Sequence, residues 1–194
     1  LRDLLCKRFL NNEYSDDSLA FVSEMAISAY SLQEVQSYIA EYFNGIVPAP
    51  FHLEIPKFKW NAIFTTNYDR LIEICYEKIT DRIQNVVTFL SDAQDLEKNS
   101  LSESCIPLIK LHGCVTRTHD ENLPLILTTD QYNDHKRNRE GLFKYLYELA
   151  YKNTIVFVGH SLQDSNIRAV LLDLEKEAPN GERHYLLKPG LKSV

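Results

Sequence analysis

No stretch of this chain comes near the roughly 18 consecutive apolar residues that a bilayer-spanning helix needs, so no membrane association is expected. Basic residues are in deficit: 21 Lys and Arg stand against 27 Asp and Glu, giving a net charge of -6 and a pI near 5.5. Affinity for a phosphate backbone comes from clustered Lys and Arg, so no direct nucleic-acid partner is expected. The one basic cluster, residues 136–139, is assigned to a solvated loop or helix face. Cysteine is sparse, and Cys6, Cys75, Cys105 and Cys114 form neither a CxxC pair nor a spacing that would assemble tetrahedral zinc. Neither disulfides nor a structural metal is therefore expected, and the predicted compartment is a reducing cytoplasm. Internal repeats, low-complexity tracts and a signal peptide are also lacking, and the chain opens on Leu1 rather than Met, so a piece of a longer protein is expected.

What is present is enough for one core. The 194 residues are 44% hydrophobic and 25% charged, with a mean hydropathy of -0.28, the composition of a globular domain. One domain over 1–194 is expected, with a helical segment at 1–57 and a core at 58–194. In the first part, "LRDLLCKRFL" and "DDSLAFVSEMAISAY" carry apolar residues at helical spacing, the second behind acidic first-turn residues. "SLQEVQSYIAEYFNG" is the clearest helix, opened by a capping box of Ser31 and Glu34 and stopped at Gly45. The proline-bearing "IVPAPFHLEIPKF" cannot continue that helix and is either a surface linker or a lid.

From Trp60 onward short apolar β runs alternate with amphipathic helices. "NAIFTT" precedes the helix "DRLIEICYEKI", and "NVVTFL" precedes the polar stretch "SDAQDLEKNSLSES". Then come the strands "CIPLIKLHG" and "LPLILT", the helix "EGLFKYLYELAYK", the strand "TIVFVG", the helix "SNIRAVLLDLEKE" and the strand "HYLLKP". Continuous apolar runs between helices predict a mostly parallel sheet buried on both faces, hence a doubly wound α/β fold.

Three of the predicted strands end in polar clusters, where the crevice of an open α/β sheet takes its ligands. The clusters are Thr65, Thr66, Asn67 and Asp69; Lys110, His112 and Gly113; and Gly159, His160, Ser161 and Asp164. Each also fits a role in the fold: Asn67, Asp69 or Asp164 as a helix cap, His112 as a core histidine at a turn, Gly159 as a tight strand-to-helix turn. Taken together at one sheet edge they suit a nucleotide. Gly159 would let the backbone approach a pyrophosphate, Ser161 would donate to a phosphate oxygen, and Asn67 or Asp69 would bond ribose hydroxyls or orient a water. No GxGxxG follows a first strand, so a dehydrogenase-type dinucleotide domain is not supported.

These residues resemble the sirtuin-like domains, and within them the bacterial branch found in anti-phage defence proteins. "TTNYD" at 65–69 resembles the strand-end motif whose Asn and Asp face the nicotinamide ribose. "KLHG" at 110–113 resembles the motif carrying the catalytic histidine, and "FVGHSLQDSNIR" at 157–168 the segment that holds the cofactor's phosphate and ribose. The resemblance covers residues 58–189 and implies a Rossmann-like core preceded by helices. The family's opening glycine-rich phosphate loop does not occur after Leu1, and it is expected upstream. The four-cysteine zinc module of the deacetylases is missing too, since only Cys114 follows "KLHG"; this turns the expectation from deacetylation to NAD hydrolysis without zinc.

The resemblance implies that NAD is the substrate, with His112 as general base on a ribose hydroxyl or a water and Asn67 positioning the water or the ribose. It implies nucleotide contacts from Thr65, Thr66, Asp69, Gly159, Ser161 and Asp164, and leaves Arg168 between ligand and fold. The expected protein is an NAD glycohydrolase effector of anti-phage defence, homo-oligomeric, joined to or triggered by a sensor domain or phage protein. Three alternatives stay open: a non-catalytic NAD or ADP-ribose-binding regulatory module, an NAD-dependent protein deacylase, and an assembly domain using the aromatic helix at 142–151.

Overall fold

The structure is a computed structural model that describes residues 1–94, 104–160, 162, 164–177 and 184–187. The chain divides into two compact units, Leu1–Glu140 and Gly141–Val194.

The first unit opens with three helices, α1 (Arg2–Phe9), α2 (Leu19–Ala29) and α3 (Leu32–Phe43). Half of the expected capping box of α3 forms: the Glu34 amide donates to Ser31 Oγ at 3.1 Å, while the Glu34 carboxylate accepts from that hydroxyl at 3.0 Å rather than from the Ser31 backbone amide. Helix α2 is capped by Ser18, which accepts from the Phe21 amide, so Asp16 and Asp17 precede the cap rather than forming the first turn. The apolar faces of the three helices close one core: Leu5, Phe9, Val22, Ala26, Val35 and Ile39 cluster with Tyr68, Leu125 and Leu127. The helical segment therefore shares its interior with the loops that follow the β-strands.

The sheet of this unit holds β1 (Ile63–Thr65), β2 (Asn85–Phe89) and β3 (Cys105–Lys110) in the order β1-β3-β2, all parallel, with α4 (Leu71–Lys78) between β1 and β2. Ile106, Leu108 and Ile109 of the central strand are at most 2% exposed, as a strand covered on both faces requires. Pro107 is tolerated there because pairing with β1 begins only at Leu108, which leaves β3 one neighbour at the proline.

The proline-bearing segment forms a 3-10 helix, Pro50–Lys57. The Trp60 indole donates to the Ile55 carbonyl at 2.8 Å, and the Trp60 backbone exchanges hydrogen bonds with the Gln84 amide at 2.9 and 3.2 Å. Trp60 precedes β1 and Gln84 precedes β2, so the segment is a linker fixed at the amino-terminal edge of the sheet, away from the strand ends where a lid would sit.

One expected strand is absent. The run "LPLILT" pairs with no strand among the described residues, although Leu125, Ile126 and Leu127 are buried. Its backbone is satisfied otherwise: Leu125 N donates to Gln36 Oε1 at 2.7 Å, Ile126 N to the His112 carbonyl at 3.0 Å, and Leu127 N and Thr128 N to Gln131 Oε1 at 2.8 and 3.0 Å. These bonds make it a strap over the β3 turn, and it leads into a short helix missed in the sequence, α5 (Thr129–Asn133). The basic cluster is likewise only half as expected. Lys136 and Arg137 are exposed, whereas Arg139 is 2% exposed and donates to the Pro124 carbonyl at 3.1 Å, so it serves the strap rather than the solvent.

The second unit is a βαβ arrangement: α6 (Glu140–Lys152), β4 (Val156–Val158), α7 (Ser165–Glu177) and β5 (Tyr185–Leu187), with β4 and β5 parallel. Leu142, Phe143, Leu146 and Ala150 of α6 are buried, so its apolar positions are core, and the Tyr147 hydroxyl donates to Glu177 of α7 at 2.6 Å. That bond pushes the Tyr147 pKa up to about 12. Among the described residues β4 pairs only with β5, so the third polar cluster ends a different sheet from the first two.

Candidate functional site

Strand β1 stops because its polar residues redirect the chain. The Asn67 amide donates to Thr65 Oγ1 at 3.1 Å, a hydroxyl turn that leaves the Asn67 side chain exposed while Thr65 and Thr66 are half-buried. Tyr68 turns inward instead. Its hydroxyl donates to the Ile126 carbonyl at 2.5 Å, and its own carbonyl accepts from the Val115 amide at 3.0 Å. Asp69, 9% exposed, accepts the Leu71 amide at 2.8 Å, a turn that leads the chain into α4, whose N-cap position is Arg70. Asp69 therefore shapes the entry to α4 from one residue ahead of the N-cap and is not itself the cap named as its plain alternative.

Beneath this loop lies a buried ion pair. Lys110, the last residue of β3 and 1% exposed, reaches Glu73 of α4 at 3.1 Å and also donates to the Asp69 carbonyl. The lysine fixes the loop carrying Asn67 to the neighbouring strand. Lys110 stood out in sequence as a charge ending an apolar run; Glu73 did not, because an acid in the first turn of a helix is ordinary.

The register does the rest. Thr65 pairs with Lys110, and the Leu111 amide donates to the Thr65 carbonyl at 2.9 Å. Asn67 and His112 therefore each stand two residues beyond the last paired positions of adjacent parallel strands, at their carboxyl ends. His112 is 2% exposed, its carbonyl accepts from Ile126 of the strap, and its ring meets Tyr132 of α5 edge-on at a centroid distance of 5.3 Å. Gly113 makes the turn possible: its φ is +93°, and a Cβ there would lie 3.0 Å from the Pro124 carbonyl oxygen.

In the second unit, Gly159 has φ +64° and ends β4. The Leu162 amide donates to His160 Nδ1 at 2.9 Å, with Leu162 itself at φ +57°. Asp164 accepts the amides of Asn166 and Ile167, both at 3.0 Å, and is the N-cap of α7; Arg168 is exposed. Ser161 lies outside the described residues. The structure thus brings Thr65, Thr66, Asn67, Asp69 and His112 together in one unit and holds Gly159 and Asp164 in the other.

Two titrating groups bear on the strap. Glu24 of α2 accepts from the Thr129 amide at 2.8 Å, and this bonding to Thr129 holds its carboxyl below the ordinary value of 4.5. Burial pulls the Arg139 guanidinium down from its usual value, with Asp92 and Asp120 opposing that shift. Among the described residues no three His, Cys, Asp or Glu side chains converge as a metal site, and no helix is long and apolar enough to cross a membrane. The four cysteines are free thiols.

Adjacent parallel strands with polar carboxyl ends make this an α/β domain of the kind that takes ligands at that edge of its sheet. Residues 61–192 match the SIR2-like domain, and the chain belongs to that family. Among curated proteins it is 24% identical over 161 residues to the defense-associated sirtuin 2 of Bacillus subtilis, covering 81% of this chain and 15% of the relative. It is 27% identical over 143 residues to the NAD(+) hydrolase ThsA of Acinetobacter baumannii (strain 532279), covering 72% of this chain and 27% of the relative. The chain thus spans well under a third of either relative's length.

Proposed function

We propose that this domain is an NAD glycohydrolase, cleaving NAD to nicotinamide and ADP-ribose. The observation that carries the reading is the Thr65–Lys110 pairing, which sets Asn67 and His112 side by side at the sheet edge where α/β folds bind nucleotides. Membership of the SIR2-like family and the likeness to a protein named an NAD(+) hydrolase support it.

In the proposed step, water attacks C1′ of the nicotinamide ribose. The N-glycosidic bond breaks, and its electron pair passes to the pyridinium nitrogen, which leaves as neutral nicotinamide. His112 takes the proton of the water directly or through a ribose hydroxyl, and Asn67 orients the attacking water or the ribose. The ribose carbon carries oxocarbenium-like charge at the transition state, so fixed dipoles beside it lower the barrier. Thr65 and Thr66 would line the ribose side, and Asp69 would hold the loop through its bond to the Leu71 amide while facing the ribose. Gly159, Ser161 and Asp164 keep their assignment to phosphate and ribose on the resemblance of their sequence.

At the level of the whole protein, the proposal is a cytoplasmic, homo-oligomeric effector that depletes NAD during phage infection and is switched by a sensor domain or phage protein. The likeness to a defense-associated sirtuin supports that placement. The test is nicotinamide release by the complete protein, with His112→Ala expected to lower kcat by roughly 100- to 10,000-fold. Undiminished release in His112→Ala and Asn67→Ala would overturn the assignment.

A second reading, binding of NAD or ADP-ribose without turnover, is favoured by the 2% exposure of His112. Calorimetry that registers NAD binding while no nicotinamide forms would select it.

A further inference from the structure

We propose that Tyr132 is a positioning residue that sets the ring plane of His112 for its role as base. The proposal rests on the glycohydrolase reading for its catalytic consequence. The strap fixes the backbone of His112, because Ile126 N donates to the His112 carbonyl at 3.0 Å. Backbone placement does not fix an imidazole plane, since the outer torsion of histidine is broad and roughly two-fold. A base must aim one nitrogen lone pair at the proton it removes, so something else has to hold the ring.

Tyr132 contributes to that hold. Its ring stands edge-on to the imidazole, 5.3 Å between centroids and 85° between planes, within the favoured range for an aromatic pair. The helix bearing it is short, but it is anchored on several sides. Thr128 and Gln131 close a capping box, the Thr129 amide donates to Glu24 at 2.8 Å, and His135 Nδ1 lies 2.8 Å from the Tyr132 carbonyl. Tyr132 is thus carried on an element tied to α2 and to the strap, and a change in that element reaches the imidazole directly. Nothing in the local sequence marks Tyr132 for this, because its contact is with a residue on another strand end.

The test compares Tyr132→Phe, Tyr132→Leu and Tyr132→Ala in the complete protein by two readouts: steady-state nicotinamide release, and the ring Cε1–H resonance of His112 in histidine-labelled protein, assigned by its loss in His112→Gln. Tyr132→Phe keeps the ring and is expected to retain wild-type kcat and resonance position. Tyr132→Leu keeps apolar bulk without a ring, and it and Tyr132→Ala are expected to lower kcat by about 10- to 100-fold with KM within about twofold, and to shift the resonance. Wild-type kcat and an unmoved resonance in Tyr132→Leu would overturn the proposal, as would a Tyr132→Phe variant as impaired as Tyr132→Leu. If wild-type protein releases no nicotinamide, the glycohydrolase reading falls and the resonance alone decides whether Tyr132 orders the ring.

Discussion

Lys110 ends a central strand at 1% exposure, and its charge is met by Glu73 at 3.1 Å and by the Asp69 carbonyl. Removing one member of a buried pair strands the other charge, so Lys110→Met is expected to cost about 3–5 kcal/mol in denaturant unfolding. The double change Lys110→Met with Glu73→Leu should recover most of that loss, because no charge is then left desolvated. A single variant as stable as wild type would show that the pair does not hold the loop. Asn67 is the opposite case. It is exposed, so Asn67→Ala should move stability by no more than about 0.5 kcal/mol, and any loss of turnover would report on chemistry. The sequence made Asn67, His112 and Lys110 visible as polar residues closing apolar runs. Glu73 and Tyr132 were not visible, because each matters through a partner distant in the chain.

The strap at 123–128 shows where a run of apolar residues misleads. Burial and length match a core strand, yet side chains of Gln36 and Gln131 take the backbone amides that a neighbouring strand would have taken. Periodicity registers burial and not the identity of the hydrogen-bond partner, so the sequence alone could not separate strap from strand. Helix ends were legible, since capping is local, as at Ser31 and Asp164. For α7, Asp164→Ala should cost about 1 kcal/mol whereas Asp164→Asn, a comparable cap, should unfold like wild type; equal losses would contradict a capping role. The tie between α2 and α5 is pH-dependent. Glu24 has a folded pKa below its ordinary 4.5, so its stabilisation is present above that value and is lost as pH falls through the lower, folded value. Wild type should therefore be more stable than Glu24→Gln near neutral pH, and the gap should close as pH falls below 4.5 and through the lower folded value. A gap that widens in acid would contradict the assignment.

Across the chain, the alternation of apolar runs with amphipathic helices was enough to give an α/β fold with parallel strands, because a buried parallel strand and its crossover helix differ in period and length. The strand order β1-β3-β2 was not legible, and it is this order that sets "TTNYD" beside "KLHG" although β2 lies between them in the chain. Nor did the pattern reveal that, among the described residues, the strand before the third cluster pairs with β5 and not with the first three strands, since each strand end looks alike in sequence. The proposed chemistry rests on the first two clusters, and it is decided by measuring nicotinamide and ADP-ribose release from NAD by the complete protein alongside its Asn67→Ala and His112→Ala variants. Stoichiometric release that collapses in both variants, with both still folded, is the predicted result; release that persists unchanged in both would contradict it.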